Sequence, residues 1–343
     1  MTSSLLTKPP LTHLKDLSTS LGLYEHAQIN VPRTAHGYCV DDVARGLVLL
    51  CHESELDNDC ELLIDVYLDF VLKAITSKGL CHNRMDDSGN WADDASTSDC
   101  WGRAVWALGV AAVHAPTPKQ RSKSLVGFLT LAKNSTRDLM SLTFAALGAG
   151  EVLLAYPQES RARKIVLAAQ SRLLPIDETA EWVWPEPRLR YSNGSIVQAV
   201  LLAGLALKDP STIKTGIRML DFLIKVETFQ DHFSVTPVGG RGPRDGKSAF
   251  DQQPIELAAI ASACAQAWEI TGDAKWLVEI ERAWGWFLGS NDVGSLMFVP
   301  ETGGGYDGLH LRGPNLNQGA ESTISMLTTA QHAFRLFSHR TFS

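Results

Sequence analysis

Residues His36–Leu50 read HGYCVDDVARGLVLL. The stretch opens polar, with Asp41 and Asp42 side by side, and turns apolar within one helical turn. Val43, Leu47 and Leu50 then return on one face. Acids are favoured at a helix N-terminus, where the dipole presents positive charge. Arg45 lies three residues beyond Asp42, so an ion pair along the helix is a second explanation. Adjacent helical positions point about 100° apart. One aspartate at most therefore aims at whatever the helix faces; this reading assigns that to Asp42 and leaves Asp41 to cap or to bind.

Outward from this stretch the period is helical. Further helices are expected near 58–76, 98–114, 118–133, 137–155, 159–172, 193–207, 211–227, 253–271, 274–289 and 319–337, with one more around 10–20. They alternate in kind. GRAVWALGVAAV, SLTFAALGAGEVLLA, SIVQAVLLAGLAL, ELAAIASACAQAW and ESTISMLTTAQHAF are small-residue-rich and apolar nearly all round, as helices buried on most sides are. CELLIDVYLDFVLKAI, ESRARKIVLAAQSRLL, STIKTGIRMLDFLIKV and AKWLVEIERAWGWFL carry one charged face. Six cycles of buried and exposed helices predict an all-α (α/α)6 toroid, an inner ring wrapped by an outer one. Residues 1–343 form one such domain in this reading, with 1–20 as an arm or an outer helix. Strand signals are local, at Phe233–Pro237 and Ser295–Val299.

The connections differ by end. Those from an inner helix to the next outer one are short, such as KDPS and TGDA. Those from an outer helix into the next inner one are long, and long loops in compact domains usually carry function. One end of the ring is therefore plain, and the other elaborate.

The net charge is −7 without a basic block, which argues against nucleic acid as a partner. No apolar run is long enough to span a bilayer, and the N-terminus lacks a signal-peptide pattern. The six cysteines form no CxxC pair; reduced thiols in a cytoplasmic setting are expected, with no metal site and no cofactor.

The start of each inner helix holds a distinctive polar set: His36, Tyr38, Asp41, Asp42 and Arg45; then Asp99, Trp101 and Arg103; then Arg137 and Asp138. The fourth set is Trp184, Glu186, Arg190, Tyr191 and Asn193; the fifth is Arg241, Arg244, Asp251, Gln252, Gln253 and Glu256; the sixth is Tyr306, Asp307, His310, Asn317 and Glu321. Carboxylates and planar amides bind hydroxyls, and Trp and Tyr rings stack on pyranose faces. Glycosidic cleavage needs two carboxyl groups, one protonated and one ionised. The candidate acid is Glu186 or Glu321; the candidate base or water-holding group is Asp42 or Asp99. The other members of these sets are candidate substrate ligands. Asp99, Asp138, Asp251 and Ser192 are equally suited to capping, and Trp106 to the core.

EHAQINVPRTAHGYCVDDVARGL, DDASTSDCWGRAVWALG, WPEPRLRYSNGSIVQAVLL, GGGYDGL and NQGAESTISML resemble segments of bacterial (α/α)6-barrel carbohydrate-active proteins. The resemblance runs from about Tyr24 to Leu336. It implies a glycosidase-like toroid acting on oligosaccharides or glycans, in possible association with a glycosyltransferase. The chain is more distantly similar to N-acylglucosamine 2-epimerases. The expectation is a glycoside hydrolase, inverting, with a small carbohydrate as its partner. A sugar epimerase or isomerase is the alternative, and a phosphorylase stays open because Arg137, Arg241 and Arg244 suit phosphate. A terpene synthase fails on spacing, since Asp93, Asp94 and Asp99 do not share one turn. A helical scaffold would not explain acids and aromatics gathered at one end.

Overall fold

The computed structural model describes residues 7–174 and 180–340, the side chains of 336–340 excepted. The first six residues of the expected arm lie outside the described residues. Twelve α-helices follow in order: α1 Thr12–Asp16, α2 Val40–Cys51, α3 Asn58–Lys73, α4 Asp99–His114, α5 Pro118–Leu131 and α6 Leu139–Ala155. Then come α7 Ser160–Leu173, α8 Asn193–Leu207, α9 Pro210–Glu227, α10 Pro254–Thr271, α11 Lys275–Phe287 and α12 Ala320–Arg340.

Even-numbered helices pack on one another in sequence, and α12 packs back on α2, which closes an inner ring. Odd-numbered helices lie outside, and the architecture is an (α/α)6 toroid. The sixth outer helix is only the five-residue α1, set against α12. No helix among the described residues is long and apolar enough to cross a membrane.

Local chemistry sets the boundaries. Thr117 and Gln120 form a reciprocal capping box at α5, with Pro118 at its first position; this satisfies two orphan donors at once. Asp57 caps α3 through the Cys60 amide (2.9 Å), and Asp138 caps α6 through the Ser141 amide (2.8 Å). Asp138 is thus a cap, whereas Asp99 lies one residue inside α4 with its side chain free for other work. Strands are confined to two- and three-residue ladders in the rim loops. The expected alternation at Phe233–Pro237 and Ser295–Val299 survives only as His232–Phe233 and Phe298–Val299.

The ring is tightest between α4 and α6. A Cβ on Gly148 would sit 2.3 Å from the Val105 carbonyl oxygen, and one on Gly109 2.4 Å from that of Gly148. Backbone atoms cannot rotate away, so only glycine allows this approach. Overpacking a full interior costs about 1–3 kcal/mol. Gly148→Ala should therefore destabilise by at least about 2 kcal/mol in urea unfolding. Gly246→Ala, where nothing lies within 4 Å of the added carbon, should leave the midpoint unchanged.

Candidate active site

A cavity follows the toroid axis. Near the elaborate end it is lined by Arg45, Arg103, Trp106, Phe144, Ser192 and Ile255; towards the plain end by His52, Glu151, Glu269, His332 and Arg335. Trp106, expected in the core, lines this cavity and stacks on Phe144 at 5.8 Å between ring centroids.

Three inner helices supply the charged groups at its head. On α2, the Arg45 guanidinium donates from Nη2 to Asp42 (2.6 Å) and from Nη1 to Glu321 of α12 (2.7 Å). Arg103 of α4 lies flat over the Phe144 ring, 3.9 Å from its centroid, with Nε 3.4 Å from Asp41 Oδ1. The other Asp41 oxygen accepts from Asn83 Nδ2 (3.1 Å). Asp99, at the start of α4, accepts from the Tyr191 hydroxyl.

These surroundings push the acids apart. Burial raises Asp99 to about 6, with Arg103 pulling the other way. Burial also raises Asp42 to about 6, against Arg45. Glu321 goes down: burial acts to raise it, but Arg45, with Arg103 and His26 beyond, outweighs this and keeps it ionised. A split of this kind is what acid–base chemistry requires.

The two adjacent aspartates exchange their expected places. Asp42 is buried beneath Arg45, and its second oxygen accepts from the Cys39 thiol (3.1 Å). Asp41 is the partly open one of the pair. Asp42 is too enclosed to meet a substrate, because the arginine that balances its charge also covers it.

Several other candidates are structural. Glu186 pairs with Arg172 of the outer helix α7, while its backbone carbonyl accepts from Trp182 Nε1 (2.9 Å). Its charge is spent on the outer wall. Trp101 is fully buried and donates to the Gly79 carbonyl (3.2 Å); Trp184 is buried against Phe222. Tyr38 stacks on Tyr24 at 4.6 Å and bonds the Thr19 hydroxyl (3.0 Å), and burial pushes its phenol to about 12. Gln252 is buried and donates to Asp292 while its oxygen accepts from Trp286 (3.3 Å). Arg241, a phosphate candidate, is buried against Glu227 (3.6 Å) and the Val226 carbonyl (2.9 Å). In each case the side chain holds a rim loop to the wall instead of facing the cavity.

Glu256 has the same fate. Its carboxylate accepts from the Ser192 and Asn193 amides and from Asn193 Nδ2 (3.0 Å), while Asn193 Oδ1 takes the Arg190 amide (3.1 Å). It clamps the start of α8 onto α10. Burial raises it to about 8 although the three donors pull downward.

Of the remaining candidates, Asp307 and, through its partner His26, His36 stand near Glu321. His36 shares a hydrogen bond with His26, Nδ1 to Nδ1 at 3.1 Å. Asp307, raised by burial, accepts from the Gly319 amide (2.8 Å), and Asn317 Oδ1 from the Ile29 amide (2.9 Å). Gln253 precedes α10 without a side-chain cap bond, Tyr306 is half-buried, and the Arg190 side chain is exposed. Sequence reasoning missed Glu25, His26, Asn83 and Arg84. Glu25 pairs with Arg84, and both Arg84 and Asn83 arrive from the loop before α4, where no periodicity marks them.

Among the described residues Glu25, Cys39 and Asp42 come within metal-ligand reach of one another. Arg84 and Arg45 already balance the two carboxylates, and burial keeps the Cys39 thiol protonated. That donor set is satisfied by arginines and suits no ion.

No protein-family model and no curated protein matches the chain. Solved structures do. A sugar epimerase from a ruminal bacterium superposes with a TM-score of 0.73 at 12% identity, covering 96% of this chain and 97% of that one. Cellobiose 2-epimerase from Bacillus thermoamylovorans gives 0.73 at 12% identity, over 97% of each chain. A GH76 α-mannanase from Bacteroides thetaiotaomicron gives 0.67 at 12% identity, over 96% of this chain and 95% of that one. At such identities the likeness is one of fold, and these neighbours include both an epimerase and a glycosidase.

Removing the Glu256 clamp leaves two buried amides without acceptors, at about 1–3 kcal/mol each. Glu256→Ala should lower unfolding stability by about 2–5 kcal/mol in a denaturant titration. Glu186→Ala should change it by less than about 1 kcal/mol, as expected for a partly exposed ion pair.

Proposed function

We propose that the protein is a glycoside hydrolase in which Asp99 is the general acid and Glu321 the base that activates water. One observation carries this reading. Beside Arg45 and Arg103, the two arginines that line the cavity head, burial holds the Asp99 carboxyl up to about 6 while Arg45 holds Glu321 down. The first group keeps a proton to give a leaving oxygen; the second stays ready to take one from water.

The two acids belong to α4 and α12, which flank α2 in the ring. Neighbouring packed helices lie about 8–10 Å apart. An inverting pair needs its carboxyl groups roughly 6.5–9.5 Å apart, to leave room for water between them. Asp41, with Asn83 and Arg103 on its two oxygens, supplies acceptors and donors for sugar hydroxyls. A carbohydrate substrate is supported by the structural neighbours, a sugar epimerase, a cellobiose 2-epimerase and an α-mannanase.

The His26–His36 pair favours a second reading, epimerisation. Two imidazoles joined at 3.1 Å beside Glu321 can exchange protons with a sugar carbon without breaking a glycosidic bond.

One experiment separates the two. A panel of di- to tetrasaccharides is incubated in D2O and, separately, in 18O-water. Cleavage with 18O at the new reducing end and an inverted first anomer is expected. Deuterium at a sugar carbon with every glycosidic bond intact would sink the hydrolase reading. For the cleaved substrate, kcat/KM should decline about tenfold per pH unit above about 6, because Asp99 then loses the proton it must donate. Asp99→Asn and Glu321→Gln should each lower kcat by about 10²–10⁴-fold, the usual contribution of an acid or base. Glu186→Gln should leave it unchanged.

A further inference from the structure

We propose that Asp42 is a positioning residue: anchored by the Cys39 thiol, it holds the Arg45 guanidinium in the one orientation that presents Nη1 to Glu321. The inference rests on the reading of Glu321 as the base.

The chain of contacts is continuous and crosses the seam of the ring. Cys39 Sγ donates to Asp42 Oδ2 at 3.1 Å, Arg45 Nη2 donates to Asp42 Oδ1 at 2.6 Å, and Arg45 Nη1 donates to Glu321 Oε2 at 2.7 Å. Three of these four side chains are enclosed: Cys39 is 2% exposed, Asp42 2% and Arg45 8%. Glu321 alone is open, with 39% of its side chain exposed.

A guanidinium is planar, so fixing one Nη fixes the other. Arg45 has one more tie, from Nε to the Asp41 carbonyl at 3.2 Å within its own helix. Because Nε lies in the same guanidinium plane, that bond and the Asp42 contact together fix the fork, with Asp42 holding its outer end. The thiol in turn settles Asp42, since it occupies the oxygen that Arg45 does not use. Burial keeps this thiol protonated, so it acts as a donor throughout the neutral range. Cys39 also stands at the N-cap of α2 without making a side-chain capping bond; its side chain is committed to Asp42.

This arrangement explains an otherwise costly feature. A buried ion pair is weak evidence for stability, because desolvation offsets attraction. Its retention here has a use: Glu321 gains an oriented cation that no surface lysine could supply, and keeps its second oxygen for water. The charged groups that face Glu321 are Arg45 and Asp42 of α2, Arg103 of α4, His26 of the N-terminal segment and Asp307 of the loop before α12. Arg45 is the one among them that donates a hydrogen bond to it.

The test reads the Glu321 carboxyl directly and needs no substrate. Full-length protein labelled with 13C at the glutamate carboxyls is titrated by NMR, with Glu321→Gln assigning the resonance. In the wild type Glu321 titrates below the ordinary glutamate value. Asp42→Ala and Asp42→Asn both remove a negative charge whose repulsion itself raises Glu321, so the anchor is read from the difference between them. Asp42→Asn keeps an oxygen for Nη2; in Asp42→Ala, which keeps none, Glu321 should bind its proton about tenfold more tightly than in Asp42→Asn, about one pH unit higher. Asp42→Ser, too short to reach Nη2, takes the place of the alanine variant if that protein fails to fold. Equal Glu321 titrations in the asparagine protein and in the folded alanine or serine protein overturn the proposal. Failure of Glu321→Gln to slow cleavage would overturn the base assignment instead, and would leave this measurement intact.

Discussion

The fork of Arg45 is the constraint on which the rest depends. A cation removed from water must be paired, and the desolvation cost is repaid only by good geometry. Here the pairing is with one carboxylate on its own helix and one on the helix at the opposite end of the sequence. The same contact therefore closes the ring at its first and last inner helices and sets the charge state of the group at the cavity head. A second tie further down the seam, from Gln331 Nε2 to the Leu49 carbonyl (3.2 Å) and Glu53 (3.2 Å), keeps the two helices in register. Closure and chemistry share a side chain, so neither can drift independently of the other.

Polar residues at the helix starts divide by what lies behind them. Where a long loop folds back over the wall, as 228–253 does, the polar side chain is drawn inward to satisfy loop backbone: Arg241 reaches the carbonyls of Val226 and Val235. Where the loop is pinned by its own short ladder, as Tyr38–Cys39 is with Arg84–Met85, the helix start is released and Asp41 is left partly open. Buried polar groups must find partners, and whichever partner is nearer decides between a structural and a chemical role.

That division marks the limit of what the sequence reveals. Helical period and the alternation of apolar with amphipathic segments are properties of each helix alone, so the toroid and its two unlike ends are readable. The direction of a side chain within a rim loop depends on tertiary contacts that no local pattern announces. Glu186 looks like a rigid acid between Pro185 and Pro187, but Arg172 lies on the outer wall beside it. Glu256 looks like a carboxylate stranded in an apolar helix, and its partners are amides of the neighbouring helix start. Asp41 and Asp42 are indistinguishable by pattern; what separates them is that Arg45 and Cys39 reach one while Asn83 and Arg103 reach the other. His26 sits in a segment without periodicity, ten residues before the histidine that it joins.

Every inner helix enters from the elaborate end, and this gives the ring a polarity of its own. Each helix N-terminus carries the equivalent of roughly half a positive charge, and six of them converge around the cavity head. Asp41, Asp42, Asp99 and Glu321 stand in that field, so the backbone itself supplies part of the compensation that Arg45 and Arg103 complete. At the far end the sign reverses; there the cavity wall carries Arg335 paired with Glu269, and burial keeps the imidazoles of His52 and His332 neutral. The two ends of the cavity are therefore electrically unlike: an anionic group meets a favourable backbone field at the elaborate end that the plain end does not offer.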